Sequence, residues 1–329
     1  MTYMPPFAIT PRIFSLSQSI SHALGLLEGE KLDMEPVRLR RDNNIKTIQS
    51  SLAIEGNTLS LKQVTHIFEG MRVIGPKKDI LEVKNALLVY ERFDQLNPLS
   101  MRDFLQAHKI LMKDLIKDNG AWREGGVGIF KGSKVAHVAP PAKRVPELMS
   151  ALFEFLKKNN ETPFLLKACI FHYELEFIHP FMDGNGRMGR LWQQLLLSKE
   201  NPIFKFITVE ELIKDNQKNY YSVLGQCDKT GDSTTFIEFS LNLILMALET
   251  YRKSTSISTV KDPASRLQYA RKTLQERWFS RKEYMDIFKN ISTSTASRDL
   301  KFGLDQEILE KKGDLNQALY RYFPENFQG

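Results

Sequence analysis

The chain has 329 residues, enough for two or three domains with cores of their own. A net charge of +7 and a pI near 9.2 leave a nucleic acid or an acidic protein open as partner, although the charge is spread rather than run together. Two distant cysteines, Cys169 and Cys227, argue against a disulfide framework or a zinc site, and no apolar run is uninterrupted enough to span a bilayer.

The start, Met1–Pro6, lacks the basic residues and apolar core of a signal segment, so cytoplasmic residence with no membrane partner is expected. Residues 1–96 read as an N-terminal helical region, with Arg38, Arg40 and Arg41 on a solvated face. Gln49–Asn57 reads as the last turns of a helix stopped by Gly56, and Ser60 as the N-cap of the next. Ser51 and Glu55 are four apart and share one helical face. Ser100 caps a helix expected to run through Lys117. After Gly120-Ala121-Trp122-Arg123, two β-prone runs flank the turn Lys131-Gly132-Ser133-Lys134, which reads as a hairpin. Val145–Lys157 is an amphipathic helix with Leu148, Leu152, Phe155 and Leu156 on its apolar side.

The apolar, helix-prone stretch Pro163–Ile178 leads into His179-Pro-Phe-Met-Asp-Gly-Asn-Gly-Arg-Met-Gly-Arg190, and Leu191–Leu197 continues it. The pattern predicts helix, tight loop, helix, with the glycines at the start of the second helix. Such an N-terminus offers unpaired backbone N–H groups and partial positive charge, an anion site that suits phosphate. His179, if neutral, can accept a proton from an attacking hydroxyl. Asp183 can hold a divalent cation that bridges phosphate oxygens. Gly184 and Gly186 permit the tight turn and close backbone approach. Asn185 tolerates an unusual backbone angle and has a side-chain N–H to donate. Arg187 and Arg190, three apart on the helix, can both reach phosphate oxygens. Phe181 is expected in the core, anchoring the loop. A lone Gly-x-Gly before a surface arginine pair would carry little information; the full combination is far more specific.

The longest apolar helix lies around Phe236–Leu248, and Lys253–Thr259 reads as a helix end or a linker. Beyond it, Phe279–Met285 starts a short helix, and Ile291–Leu300 reads as a turn and a capped helix. Ile308–Asp314 and Ala318–Tyr322 fit two strands around a Lys-Gly-Asp turn. The order resembles a winged helix-turn-helix, in which Thr295, Ser297, Arg298 and Lys301 would face DNA. Such units also mediate protein contacts, so DNA stays a candidate partner only.

His179–Arg190 matches HxFx(D/E)GNGRxxR at every defining position, and on that motif the chain resembles the Fic family. The resemblance covers roughly residues 47–251. Most Fic proteins transfer AMP from ATP to a Ser, Thr or Tyr hydroxyl of a protein, with Mg²⁺ as cofactor. The resemblance implies His179 as general base and Asp183 as magnesium ligand. Asn185 and Gly186, with Gly184 at the turn, would line the anion hole. Arg187 would hold the α/β-phosphates and Arg190 the γ-phosphate. The related Doc kinases carry lysine where this chain has Gly186, so the pattern is that of AMP transfer.

Ser51–Gly56 resembles the inhibitory motif (S/T)xxxE(G/N) of many Fic proteins. It implies that Glu55 pairs with Arg190 in the place of the γ-phosphate, a restraint from the N-terminal side of the core. The hairpin corresponds to the flap that docks a target segment as an added strand; its His137 is not counted as catalytic. The fold implied is mainly α: a Fic-type helical bundle with a β-hairpin flap, plus a C-terminal winged helix-turn-helix. The expected divisions are 1–96, an N-terminal helical region with the inhibitory helix; 97–252, the Fic core; and 253–329, linker and winged helix. The expected partner is a protein with a hydroxyl side chain, the chain itself included through Tyr220 or Tyr221. A homodimer stays open. Two other readings stay open as well: removal of AMP, with Glu55 positioning water, and a nucleotide-sensing DNA-binding regulator.

Overall fold

The structure is a computed structural model. It describes residues 4–29, 36–126, 128–131, 134–158, 161–258, 262–288, 291–314 and 318–324, with backbone alone for 36–38, 128–131, 134–138 and 254–258. The turn residues Gly132 and Ser133, the side chains of His137 and Arg38, and Thr259 therefore lie outside the described residues. Two compact units are present, Met1–Tyr251 and Arg252–Gly329.

The first unit is helical. Its N-terminal helices are α1 (Pro11–Gly29), α2 (Pro36–Ile54), α3 (Leu61–Phe68) and α4 (Lys77–Glu91). Next come α5 (Met101–Leu111) and an antiparallel hairpin, β1 (Gly128–Lys131) with β2 (Lys134–Val138), whose register shifts between Ile129 and Phe130. Then follow α6 (Val145–Lys158), α7 (Phe164–Ile178), α8 (Asn185–Glu200), α9 (Val209–Asp215), α10 (Gln217–Thr230) and the start of α11 (Thr234–Ser258). Among the described residues no helix is long and apolar enough to cross a membrane.

The packing explains the uneven sequence patterns. Helix α7 is buried on nearly every face and lies against α8, which is why its sequence is apolar without a clear stripe. Phe104 of α5 packs among Phe153 of α6, Phe171 of α7, Phe181 of the following loop and Trp192 of α8, at ring separations of 4.9–6.0 Å. Each such ring contributes about 1.5–3 kcal/mol by burial. Ile13 of α1, Leu52 of α2 and Val83 of α4 belong to the same core as Phe171 and Trp192, so residues on both sides of position 96 share one interior.

Caps set several boundaries. Ser60 starts α3 with a capping box to Gln63, and Ser100 accepts from the Asp103 N–H to start α5. Helix α5 stops at Leu111, short of the expected Lys117. Asn85 of α4 donates its amide to the carbonyls of Leu111 (3.2 Å) and Lys113 (2.7 Å), and Asp114 turns to a φ of 59°. Those carbonyls are satisfied from another helix, so the chain turns there.

The second unit holds the end of α11, then α12 (Pro263–Leu274), β3 (Phe279–Ser280), α13 (Arg281–Ile287), α14 (Thr293–Asp305), β4 (Leu309–Lys312) and β5 (Leu319–Tyr322). The three strands pair antiparallel in the order β3-β5-β4. Lys253–Ser258 is thus the end of a helix. Leu267, Phe279, Tyr284, Leu300, Leu309 and Tyr322 form the core. Asp299 lies buried within it, gripped by Arg266 at 2.6 and 2.7 Å and by the Tyr284 hydroxyl at 3.2 Å. Arg298 and Lys301 of α14 are exposed. Ser297 is half-buried and accepts from Arg281, and Thr295 is half-buried at the N-terminal turn.

Candidate active site

Helix α7 ends at His179, whose φ of 50° and ψ of 60° are left-handed. This conformation is costly for a residue with a Cβ and is held by its surroundings. The His179 N–H donates to Leu175 O, and Nδ1 lies 3.3 Å from Glu176 O. Its carbonyl accepts from Arg123 Nε at 2.7 Å. Arg123 is buried and spends its guanidinium on carbonyls: Gly125 at 2.8 Å, Pro140 at 2.5 Å and Ile178 at 3.3 Å. Its backbone N–H donates to Pro180 O. One side chain therefore joins the chain on both sides of the hairpin to the end of α7. Burial pulls its pKa down.

The loop from Pro180 to Gly184 is fastened from inside. Phe181 is fully buried and stacks on His108 of α5, with ring centroids 3.5 Å apart, and on Trp122. His108 Nδ1 accepts from the Gly120 N–H, so its Nε2–H donates to Asp183 O at 3.0 Å. Burial holds this imidazole neutral, its pKa pushed down to about 4. Asn185 closes the loop: its Oδ1 accepts from Phe181 N and its Nδ2 donates to Phe181 O, both at 2.9 Å. The Asn185 amide is thus committed to the loop, and what the start of α8 offers an anion is backbone N–H. Gly184, the N-cap, has a φ of 88°, and a Cβ there would lie 2.8 Å from Met112 Sδ.

Asp183 is half-exposed. Its Oδ1 accepts from Gly184 N at 2.6 Å and from Arg187 Nη2 at 2.7 Å. Among the described residues no three His, Cys, Asp or Glu side chains gather as a metal cage. A half-exposed carboxylate beside the start of α8 would suit a hard divalent cation such as magnesium, which favours carboxylate and water oxygens. Arg187 is buried; its Nη1 donates to Glu82 Oε1 of α4 at 3.1 Å.

Arg190 lies deeper, 2% exposed. Its Nε donates to Ser51 Oγ and its Nη2 to Ser51 O, both at 3.0 Å, and Nη2 also meets Glu55 Oε1 at 2.8 Å. Burial works most strongly against its charge, but Glu55, Tyr220 and Glu176 together hold the guanidinium above its usual pKa. A Cβ built on Gly186 would lie 2.3 Å from Glu55 Oε1, so this carboxylate sits directly over the backbone at the start of α8. Nearby, burial and the charge of Glu55 push the Glu176 carboxyl up to about 7. Glu176 shares a buried cluster with His172 and Tyr220. Tyr220 is buried there, whereas Tyr221 is exposed.

Ser51, Glu55 and the run His179–Arg190 thus come together around the start of α8. Glu82, Arg123 and His108 were not singled out as site residues. Their partners lie 105, 56 and 75 positions away, beyond any local pattern.

The family model Fic/DOC family matches residues 98–197. Curated relatives named protein adenylyltransferase Fic include one from Culex quinquefasciatus, 29% identical over 68% of this chain and 45% of its own length. Another, from Nematostella vectensis, is 30% identical over 64% of this chain and 49% of its own. The chain spans about half the length of the curated relatives it matches. A crystal structure of a Fic family protein from Desulfovibrio desulfuricans G20 aligns over 98% of this chain and 99% of that one, with a TM-score of 0.72 and 39% identity. Fic-1 (residues 134–508) from C. elegans shares the fold over 75% of this chain and 72% of that one, with a TM-score of 0.62 and 21% identity. On the matched core, and on the Desulfovibrio relative that aligns along nearly all of both chains, this protein belongs to the Fic family.

Proposed function

We propose that the chain transfers AMP from ATP to a hydroxyl side chain of a protein, and that Glu55 restrains the transfer. The observation that carries the reading is the Glu55 carboxylate on Arg190, over Gly186, at the start of α8. An anion already stands where a helix N-terminus and a buried guanidinium favour one. The curated relatives bear the name protein adenylyltransferase.

In this reading the target hydroxyl gives its proton to His179, and its oxygen bonds to the α-phosphorus. The bond to the β-phosphate oxygen breaks, and pyrophosphate leaves. Arg187 holds the α/β-phosphates and Arg190 the γ-phosphate, once Glu55 withdraws. Backbone N–H groups at Asn185 and Gly186 face the oxygen charge. Asp183 would hold Mg²⁺, whose chemistry there is to neutralise and orient phosphate oxygens. The hairpin would take the target segment as an added strand, directing its hydroxyl toward the α-phosphate. Intact-protein mass spectrometry of Glu55→Gly with ATP and Mg²⁺ tests the scheme. An AMP adduct on the chain or an added target, lost in Glu55→Gly/His179→Ala, supports it; an adduct indifferent to His179 refutes it.

The same residues serve AMP removal if Glu55 positions a water, and its side chain is 32% exposed, within solvent's reach. The second unit carries 15 Lys and Arg against 10 Asp and Glu, a net +5 of the chain's +7. That charge, with Arg298 and Lys301 on the open face of α14, supports reading the unit as a winged helix that meets DNA.

A further inference from the structure

Two arginines of the α8 turn meet carboxylates from the N-terminal helices, and only one of those carboxylates belongs to the inhibitory motif. The other is Glu82 of α4, 6% exposed. Its Oε1 accepts from Arg187 Nη1 at 3.1 Å, and its Oε2 accepts from Asn57 Nδ2 at 2.8 Å. Asn57 stands two residues after Glu55, just past the turn at Gly56, whose φ is 91°. The same turn is pinned again by α4: Thr58 N and Oγ1 both donate to Asp79 Oδ2, at 2.8 and 2.7 Å, and Asn57 Nδ2 also reaches Asp79 O.

We propose that Glu82 is a positioning residue with two functions: it fixes Arg187 for the phosphates and, through Asn57, anchors the turn that presents Glu55. The inference rests on the reading of Arg187 as a phosphate-holding residue. The geometry divides the guanidinium. Nη1 is fastened to Glu82, in a nearly dry setting where a charge-assisted bond is strong. Nη2 lies on the half-exposed carboxylate of Asp183, which a magnesium ion would claim. With Asp183 given over to the ion, Nη2 would be the arm free to meet phosphate oxygens, while Nη1 would keep the group in place. Without Glu82 the freed guanidinium would have to be ordered at the moment of binding. The second carboxylate oxygen ties the same residue to the inhibitory turn, so one side chain serves both the site and its restraint.

The test measures binding of ATP and of adenosine by calorimetry, in the full chain, with Glu55→Gly as the background. Glu82→Gln is expected to weaken ATP roughly tenfold, about 1.4 kcal/mol, and to leave adenosine unchanged. Glu82→Asp, which keeps the charge, is expected to weaken ATP less, and it serves if the glutamine variant does not fold. Asn57→Ala in that background should leave ATP binding unchanged. In the otherwise unaltered chain Asn57→Ala should raise AMP transfer toward the level of Glu55→Gly. Equal losses for ATP and adenosine, tighter ATP in Glu82→Gln, or no effect of Asn57→Ala on transfer would each overturn the proposal. If Glu55→Gly itself binds ATP no better than adenosine, the phosphate-site reading fails first, and the inference falls with it.

Discussion

A guanidinium as buried as that of Arg190 requires a counter-charge, and Glu55 supplies it at 2.8 Å. Removing Glu55 should therefore have two opposite effects. AMP transfer should rise, with each tenfold gain equal to about 1.4 kcal/mol of relieved competition. Stability should fall, by about 1–3 kcal/mol given the partial exposure of Glu55. Excess ATP should restore that stability by binding only the folded state. Chemical denaturation of Glu55→Gly with and without ATP checks both signs; a loss that ATP does not recover would separate Glu55 from the nucleotide. His108 sets a second test. The unfolded chain protonates it near 6.5, while the folded chain keeps it neutral down to about 4. Its contribution is therefore complete above the unfolded value and is lost as pH falls toward the folded one. Between pH 7 and pH 5 that loss is about 2 kcal/mol. His172, pushed down to about 3, adds in the same direction, whereas Glu176 and Glu210, pushed up to about 7, act the other way. The comparison is thus with His108→Asn, whose acid limb should be flatter than that of the parent. At this scale the contiguous run His179–Arg190 was legible as a candidate site because its residues stand together in the sequence. Glu82 was not, because nothing near it in sequence indicates that it will face Arg187.

In the proposed restraint, helix ends would fix how firmly Glu55 is held. The C-terminal end of α2, which carries Ser51 and leads to Glu55, is fastened from α10 by Gln217, whose amide donates to Ile54 O at 2.7 Å. Lys214 of α9 reaches Gln49 and Ser50 of α2, both at 3.3 Å. Gln217→Ala should loosen this end and raise basal AMP transfer severalfold, a gain of about 1 kcal/mol from one lost hydrogen bond. The rate with Glu55→Gly in place should not change further, since nothing remains to release. An equal increase in both backgrounds would place Gln217 in catalysis rather than restraint. The caps at Ser60 and Ser100 could be read in advance, because a capping residue and the N–H it serves lie within one turn. The early end of α5 could not, because Asn85 satisfies its last carbonyls from another helix. Lys253–Ser258 could be read only as a helix end or a linker, because its polar, β-branched residues blur the helical period although the backbone continues.

The charge of the molecule is uneven. Most of the net positive charge belongs to the unit from Arg252 to Gly329, and the unit with the candidate site is close to balanced. If the smaller unit meets DNA through α14, Arg298→Ala/Lys301→Ala should weaken binding to all sequences and reduce the salt slope by about 2. AMP transfer should be unaffected. A binding isotherm series in salt reads the slope; retention of full affinity in the double variant would remove α14 from the interface. Local patterns indicated helices and a hairpin, yet they could not show that Ile13, Val83 and Trp192 would share one core. That requires the folded chain, as does the clasp of Arg123 between the hairpin's base and the end of α7. The central claim is that Glu55 restrains AMP transfer by holding Arg190, and radiolabel transfer tests it most directly. The parent, Glu55→Gly and His179→Ala would be incubated with Mg²⁺ and ATP labelled at the α- or the γ-phosphate. The account predicts incorporation from the α-label alone, raised by Glu55→Gly and abolished by His179→Ala. Incorporation from the γ-label, or an unchanged rate in Glu55→Gly with ATP bound, would contradict it.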